Sequence, residues 1–349
     1  MYLDGIDKSI RSENQFDKAL NKFKRLKTKI VIVDEVQLVD NFASSLKHFV
    51  KVNLNISVFV TGSNSNLLSS EIINQFQGES ESIILSPLTY KEIIIEIPDY
   101  PFNDYLLYGG LPIVVNMKTN EKSNELTRIY NEIYQRDILN KLSDKLEFLS
   151  SHHIEALIEL IASSLSPVSP SSLVRKFLNG INKTRTDELK VLNEIYKILT
   201  VLDNNFFMKH IAINDYNDKI PLENIGLNKK YYFADNGLRY INCKNDSKVI
   251  GICLENAVFV ELFSRGIEPK GKLILGKNHN INGEIDFNYE LNGDEYHIQV
   301  THTINPDDYA REISNLNNLR GVKQIIYLQN STGMEEKDIE YLQGSKFFI

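Results

Sequence analysis

The chain reads as an α/β protein, with a parallel sheet at the front, a helical middle and a second α/β unit at the end. Three observations predict this. Two β-branched runs, Ile30-Val-Ile-Val-Asp34 and Ile56-Ser-Val-Phe-Val60, stand on either side of a helical stretch at about 41–51, the spacing of a right-handed βαβ unit. From Leu88 to about Asp203 the apolar residues recur mostly at helical spacing. Finally, Glu284–Glu290 and Tyr296–His302 alternate around Asn292-Gly293, the signature of a hairpin.

Each element follows from its local pattern. A helix over 13–28 gathers Phe16, Ala19, Leu20, Phe23 and Leu26 on one face, and spreads Lys18, Lys22, Lys24, Arg25, Lys27 and Lys29 over the rest. The run that follows is continuously apolar and closed by Asp34-Glu35, which predicts a strand buried on both faces of a parallel sheet. A third short strand is expected at Ser82–Leu85. The helical region breaks at Tyr108-Gly-Gly-Leu-Pro112, a turn by virtue of its glycines and proline. Helices are expected at 152–165, 170–179 and 185–203, then strands at 206–213 and 230–233. Three helices and a ribbon is the order of a winged helix, with Ser169 as N-cap and Pro170 at the first helical position of its second helix. The last third offers a helix at 250–266, the hairpin at 284–302, a helix at 306–319 and a strand at 323–328.

Composition narrows the function classes. A chain of 349 residues has room for two or three domains, and 42% hydrophobic residues supply more than one core. A net charge of -7 speaks against general nucleic-acid affinity, so DNA binding would need a local basic patch. Cys243 and Cys253 make neither a disulfide scaffold nor a zinc cluster; both are expected to be reduced, with Cys253 in a core. The N-terminus has no basic-then-apolar leader, and no apolar run approaches the ~20 residues of a membrane helix. The expectation is a cytoplasmic protein with no membrane partner.

The chemistry starts at Asp34-Glu35. A carboxylate at the C-terminal end of a parallel strand sits at the crevice where α/β sheets bind ligands. In P-loop NTPases the first acid positions Mg²⁺ and a following Glu orients the attacking water. The turn Thr61-Gly62-Ser63-Asn64 ends the neighbouring strand, where Ser63 or Asn64 could sense a γ-phosphate. Hydrolysis also requires GxxxxGK[ST], whose amides cradle the phosphates. No such segment occurs in the 29 residues before Ile30, and the G-x4-G-K stretches beginning at Gly266 and Gly271 lack the hydroxyl residue. The chain as written is not expected to hydrolyse ATP alone.

Several segments together resemble one family: VIVDEVQ (31–37), TGSNSNLLSSE (61–71), LSPLTYKEI (85–93), YLLYGGLPIVV (105–115), QRDI (135–138), KKYYFADNGLR (229–239), LENAVFVEL (254–262), GEIDF (283–287) and HIQV (297–300). They resemble, in order and over nearly the whole chain, the archaeal and bacterial AAA-type ATPases with a C-terminal domain of unknown function. The resemblance implies an incomplete P-loop core over 1–98, a helical lid over 99–150, a winged helix over 151–228 and a restriction-endonuclease-like α/β domain over 229–349. It also implies ATP and Mg²⁺ as cofactors, with Asp34 as the Mg²⁺ residue. Two departures matter. The phosphate loop is missing, so the chain is expected to be either N-terminally truncated or degenerate. Family members commonly carry an arginine at the position of Glu79, where an acid would repel a phosphate.

The C-terminal fold implied is that of PD-(D/E)xK nucleases, which bind Mg²⁺ through two acids and place a lysine beside them. Strand alternation puts Glu284, Asp286 and Asn288 on one face, and His297, Gln299 and Thr301 on one face of the returning strand. Asp286 fits the first acid and Glu255 adds another. Gln299-Val300-Thr301 supplies neither the second carboxylate nor the lysine, so the expectation is a remnant used for structure or docking. In the winged-helix segment, residues 170–200 carry six basic residues against three acids, and Lys183, Arg185 and Lys190 are the candidate contacts to double-stranded DNA. A protein–protein role with other subunits is the alternative. His152 and His153 are expected to serve a helix end rather than a metal, and Arg136-Asp137 is read as a local ion pair or an interdomain contact.

Overall fold

The computed structural model describes residues 2–25, 29–62, 76, 80–164, 170, 173–174, 185–215, 228–244, 248–275, 281–305, 313–317, 319–330 and 336–349. It divides into two compact units, Met1–Leu85 with Asn204–Phe206, and Ser86–Asp203 with Phe207–Ile349.

The first unit holds β1 (Tyr2–Asp4), α1 (Glu13–Arg25), β2 (Ile30–Asp34), α2 (Phe42–Val52) and β3 (Ser57–Val60). The strands form one parallel sheet in the order β1-β2-β3. Alternation in β2 turns Val31 and Val33 toward Phe16, Leu20 and Phe23 of α1 and Phe42, Leu46 and Phe49 of α2. Ile30 and Ile32 point the other way and stay 48% and 36% exposed, beside Phe59 of β3 at 54%. The expected burial on both faces is therefore corrected: the two described helices cover one side of the sheet. Ser82–Leu85 forms no strand. It runs as irregular chain with Ile83, Ile84 and Leu85 exposed, because a β-branched run without a partner ladder has nothing to hold it extended.

The second unit opens with α3 (Tyr90–Glu96), α4 (Phe102–Tyr108), α5 (Pro112–Val115) and α6 (Thr119–Ile133), the last prolonged by a π-helical turn at Tyr134–Leu139. Thr89 and Glu92 close a reciprocal capping box at the start of α3. Helices α7 (Ser151–Ala162) and α8 (Arg185–Asn204) follow. Of the expected second helix of the winged helix, residues 170 and 173–174 are helical and the rest, with its cap at Ser169, lies outside the described residues.

The C-terminal part is built on a seven-stranded mixed sheet, ordered β10-β9-β8-β7-β6-β4-β5. Its members are β4 (Met208–Asp215), β5 (Lys229–Phe233), β6 (Lys270–Leu275), β7 (Ile281–Leu291), β8 (Asp294–Ile304), β9 (Val322–Asn330) and β10 (Glu340–Gln343). Between β5 and β6 lie α9 (Asn236–Asn242) and α10 (Val249–Ser264). The β4–β5 ribbon does not stand alone, since β4 also pairs in parallel with β6 through Ile213, Asn214 and Asp215. Two cores flank β5. Tyr231 and Phe233 pack with α7 and α8, whereas Tyr232 packs with α10, Phe287 and Ile298. Of the expected helix at 306–319, residues 313–317 are helical.

Candidate functional site

Asp34 closes β2, the central strand of the N-terminal sheet. Its neighbours come from both flanking strands. The Tyr2 hydroxyl donates to Asp34 Oδ2 at 2.6 Å and the Thr61 hydroxyl donates to Oδ1. Thr61 is itself fixed by the ladder, with its amide donating to Val33 O and its carbonyl accepting from Val36 N. These two hydroxyls, Thr61 first, hold the Asp34 carboxyl below its usual range, so it is an ionised group at the sheet's C-terminal edge. The Tyr2 phenol is pushed up to about 12 by the same bond.

Glu35 takes a left-handed backbone conformation, φ 46° and ψ 44°, which turns the chain out of the strand and costs about 1–2 kcal/mol for a residue with a Cβ. Its amide donates to Thr61 Oγ1 at 3.3 Å and its carboxylate accepts from the Gln37 amide. Thr61 thus joins the two expected catalytic acids. Ser63, Asn64 and Glu79 lie outside the described residues. The donor set suits one half of a Mg·ATP site: an ionised carboxylate can hold Mg²⁺ through its waters. No GxxxxGK[ST] occurs within these 349 residues.

The second constellation forms around Lys230. Strand β5 alternates, so Lys229 and Tyr231 face α8 while Lys230 and Tyr232 face α10. Lys230 Nζ lies 2.7 Å from Glu255 Oε1, 3.2 Å from Glu284 Oε1 and 3.6 Å from Asp286 Oδ1. Tyr232 donates its hydroxyl to Glu255 Oε1 at 2.7 Å. Lys230, Glu255 and Asp286 are all at most 4% exposed. Burial works against the Lys230 charge, but Glu255 and Glu284 outweigh it and hold the ammonium well above its ordinary value. Burial, then Glu255, pushes the Asp286 carboxyl well above the usual carboxylate range.

The predicted remnant residues Glu255 and Asp286 are therefore brought together, and Glu284 joins them. Asn288 does not. Between Lys270↔Asn288 and Lys272↔Ile285 the β6–β7 register shifts by a bulge, so strict alternation fails there. Asn288 bonds to His297 Nδ1 and the Lys270 carbonyl, while Glu284 and Asp286 turn to Lys230. Gln299 sits on the adjacent strand, buried, with Oε1 lacking a hydrogen-bond partner, and the next amide, Val300 N, donates to Asp286 Oδ2 at 2.7 Å. A nuclease-type Mg²⁺ does not fit this arrangement, because a tethered ammonium already occupies the space between the carboxylates. Among the described residues, no group of three or more His, Cys, Asp or Glu is placed to hold a metal. Sequence reasoning missed Lys230 and Tyr232. The available signal was a lysine at an apolar-flanked strand position in Lys-Lys-Tyr-Tyr-Phe.

For the candidate DNA contacts, Lys183 lies outside the described residues and Arg185 begins α8. Lys190 is exposed on α8 and sits 5.4 Å from the Phe148 ring centre. His153 serves a helix end, as read from the sequence: its Nδ1 accepts from Ser150 N at the start of α7. Arg136 and Asp137 form a local ion pair at 2.9 Å. Cys243 and Cys253 are free thiols, and burial pushes the Cys253 thiol up to about 12. No helix among the described residues is long and apolar enough to cross a membrane.

Comparison with known proteins finds matches to two parts of the chain. Residues 1–94 match a family described as an AAA domain, and residues 100–248 match a domain of unknown function (DUF8612). The front of the chain is thus similar to AAA-type domains. An uncharacterized protein of Haemophilus influenzae is 29% identical over 244 residues, covering 67% of this chain and 58% of its own length. An uncharacterized protein of Methanocaldococcus jannaschii is 28% identical over 311 residues, covering 82% of this chain and 64% of its own. The chain spans about three-fifths of the length of these curated relatives. Among solved structures, protein VC1899 from Vibrio cholerae covers 96% of this chain and 78% of its own, at 11% identity and a TM-score of 0.22. Can2 from Sulfobacillus thermosulfidooxidans in complex with cyclic tetra-adenylate covers 93% and 92%, at 10% identity and a TM-score of 0.21. Scores this low carry no argument about the fold.

Proposed function

We propose that the N-terminal unit is the acid-bearing part of a Mg·ATP site and that this chain by itself binds nucleotide without turning it over. The observation that carries this is Asp34: an ionised carboxylate at the end of the central parallel strand, fixed by Thr61 and Tyr2 from the strands on either side. Bound Mg²⁺ would supply charge stabilisation at the phosphates. Asp34 would hold it through water, Glu35 would orient a water, and Ser63 or Asn64 would contact the γ-phosphate. The AAA-type match over residues 1–94 supports the assignment. Fluorescence titration with a labelled ATP analogue tests it. Mg²⁺-dependent binding that weakens in Asp34→Ala, with phosphate release at background, is the expected result. No Mg·ATP affinity, either in this chain or in one extended upstream, would falsify the reading.

A second reading is favoured by the basic excess in 170–200 and by exposed Lys190: a non-catalytic module that binds double-stranded DNA, or another protein, through a winged helix. Duplex affinity that falls with salt and weakens in Arg185→Ala is expected. Indifference to both would leave protein partners as the use of this segment. Nuclease chemistry is not proposed, given the Lys230 ammonium among the acids.

A further inference from the structure

A cleft of about 190 Å³ opens between the C-terminal half of α8 and the β4–β5 ribbon, wholly within the second unit, and shares no residue with either site above. Its walls follow from two periodicities. Tyr196, Thr200 and Asp203 are spaced four and three residues apart and share one face of α8. Lys229 and Tyr231 lie two apart on the same face of β5, opposite Ala212 and His210 of β4. The residue between them, Lys230, is committed to the acids on the other side of the sheet.

The cleft's polar groups divide into spent and unspent. Asp203 is half spent. Its Oδ2 takes the His210 Nδ1 at 2.9 Å, while its Oδ1 faces Lys209 Nζ at 3.4 Å in an ion pair without a hydrogen bond. Burial would raise its carboxyl, but His210 and Lys209 more than offset this and hold it below the usual range. The Thr200 hydroxyl donates back to the Tyr196 carbonyl at 2.8 Å, which leaves its oxygen an acceptor.

Three groups are unspent among the described residues. Lys229 makes no ion pair or hydrogen bond to them through its ammonium. Tyr231 is 7% exposed and lines the cleft, and its hydroxyl bonds to none of the described residues. Burial, then Asp203, raises its phenol above the ordinary value, so it stays a proton donor. His210, its ring 5.9 Å from that of Tyr231, gives its Nδ1–H to Asp203, which leaves Nε2 an acceptor.

We propose that this cleft is a phosphate-recognition site, in which Lys229 supplies the charge and the Tyr231 hydroxyl donates to an oxygen, with the His210 ring alongside. An ammonium with an oriented phenolic donor around a half-enclosed space suits a compact oxyanion with several acceptor oxygens. The same chemistry serves a free phosphate compound or a phosphate of a DNA backbone. The site stands independently of the nucleotide reading of Asp34, since no residue is shared.

Inorganic phosphate, titrated at fixed ionic strength, is the first probe, with the His210 ring resonances followed by NMR. A labelled short duplex, followed by anisotropy, is the second. The variants are Lys229→Gln and Tyr231→Phe, with thermal melts to verify folding. Tyr231→Phe removes one oxygen from a buried ring, so it carries the test if the lysine variant fails to fold. Phosphate is expected to shift the His210 resonances, and each substitution to weaken that binding about tenfold, the scale of one lost charged hydrogen bond. If the duplex is the source, the same substitutions weaken it about tenfold and phosphate competes with it. If a free phosphate compound is the source, duplex binding ignores both substitutions. Unshifted His210 resonances with unchanged duplex binding overturn the proposal, as does a phosphate response that neither substitution alters.

Discussion

Lys230 illustrates how one residue's strand face decides a site's chemistry. Three carboxylates meet around it, and its ammonium is the cation that lets them share a dry space. Removing one partner of a buried ionic cluster strands the rest, so Lys230→Met is expected to cost about 3–5 kcal/mol near neutral pH. The sign with pH follows from the acids. With the ammonium gone the Asp286 carboxyl, already raised by burial, rises further above its unfolded value, so the folded state binds more protons than the unfolded chain. The variant's deficit in urea-unfolding free energy should therefore widen from pH 5 to pH 8; a constant deficit would count against the ionic account. Asp235 gives a second titration. Burial pushes its carboxyl from 3.8 to about 6, against the amides of Gly110, Gly237 and Leu238 that pull it back. The unfolded chain releases this proton near 4 and the folded one near 6, so stability attributable to Asp235 falls as pH rises through that window, by roughly 3 kcal/mol in all. Unfolding free energies of parent and Asp235→Asn should diverge by that amount between pH 4 and pH 7, the parent losing ground.

At the scale of elements, the turn Tyr108-Gly-Gly-Leu-Pro112 has distinct reasons for its two glycines. Gly109 caps α4 at φ 72°, and Gly110 lies against the Leu88 carbonyl, where a Cβ would collide with backbone. Its amide also donates to Asp235 Oδ2 at 2.8 Å. Gly110→Ala should cost about 2–4 kcal/mol by calorimetry, since the obstacle is main chain and cannot swing away. This turn was legible in the sequence, as was the 284–302 hairpin, because both are written in local chemistry: Asn292 and Gly293 do adopt φ 55° and 89° between Leu291 and Asp294. The βαβ unit around Asp34 was legible for the same reason. What was not legible depends on partners distant in sequence. Ser82–Leu85 has the residues of a strand and no ladder. The bulge in β7 is set by pairing with β6, and it moved Asn288 away from the acids. Lys230 reached Glu255, Glu284 and Asp286 only because β5 packs against α10 and joins the sheet of β7 through β4 and β6, a neighbourhood no local pattern announces.

At the scale of the molecule, the two units rest on unequal foundations. Among the described residues the first has a single cluster, built from α1, α2 and one face of the sheet, with Ile30, Ile32 and Phe59 exposed on the other. The second has two large clusters and a smaller one, stitched by buried hydrogen bonds such as those of Arg239 to the carbonyls of Ile161, Ala162 and Ser164. Apolar burial supplies about 25 cal/mol per Å², and a unit of this size buries a smaller share of its surface than a large one does. Unit 1 should therefore open at lower free energy than the sheet of unit 2. Hydrogen exchange under rising urea tests this directly. Protection at Val31, Val33 and Val58 should be lost at lower denaturant than protection at Phe287, Ile298 and Ile326. Mg·ATP, if it binds at Asp34, should raise protection in the first set and leave the second unchanged, because a ligand stabilises the state that holds it. Exchange that proceeds in both sets through one shared opening would instead make the chain a single cooperative body, and nucleotide would then protect both sets alike.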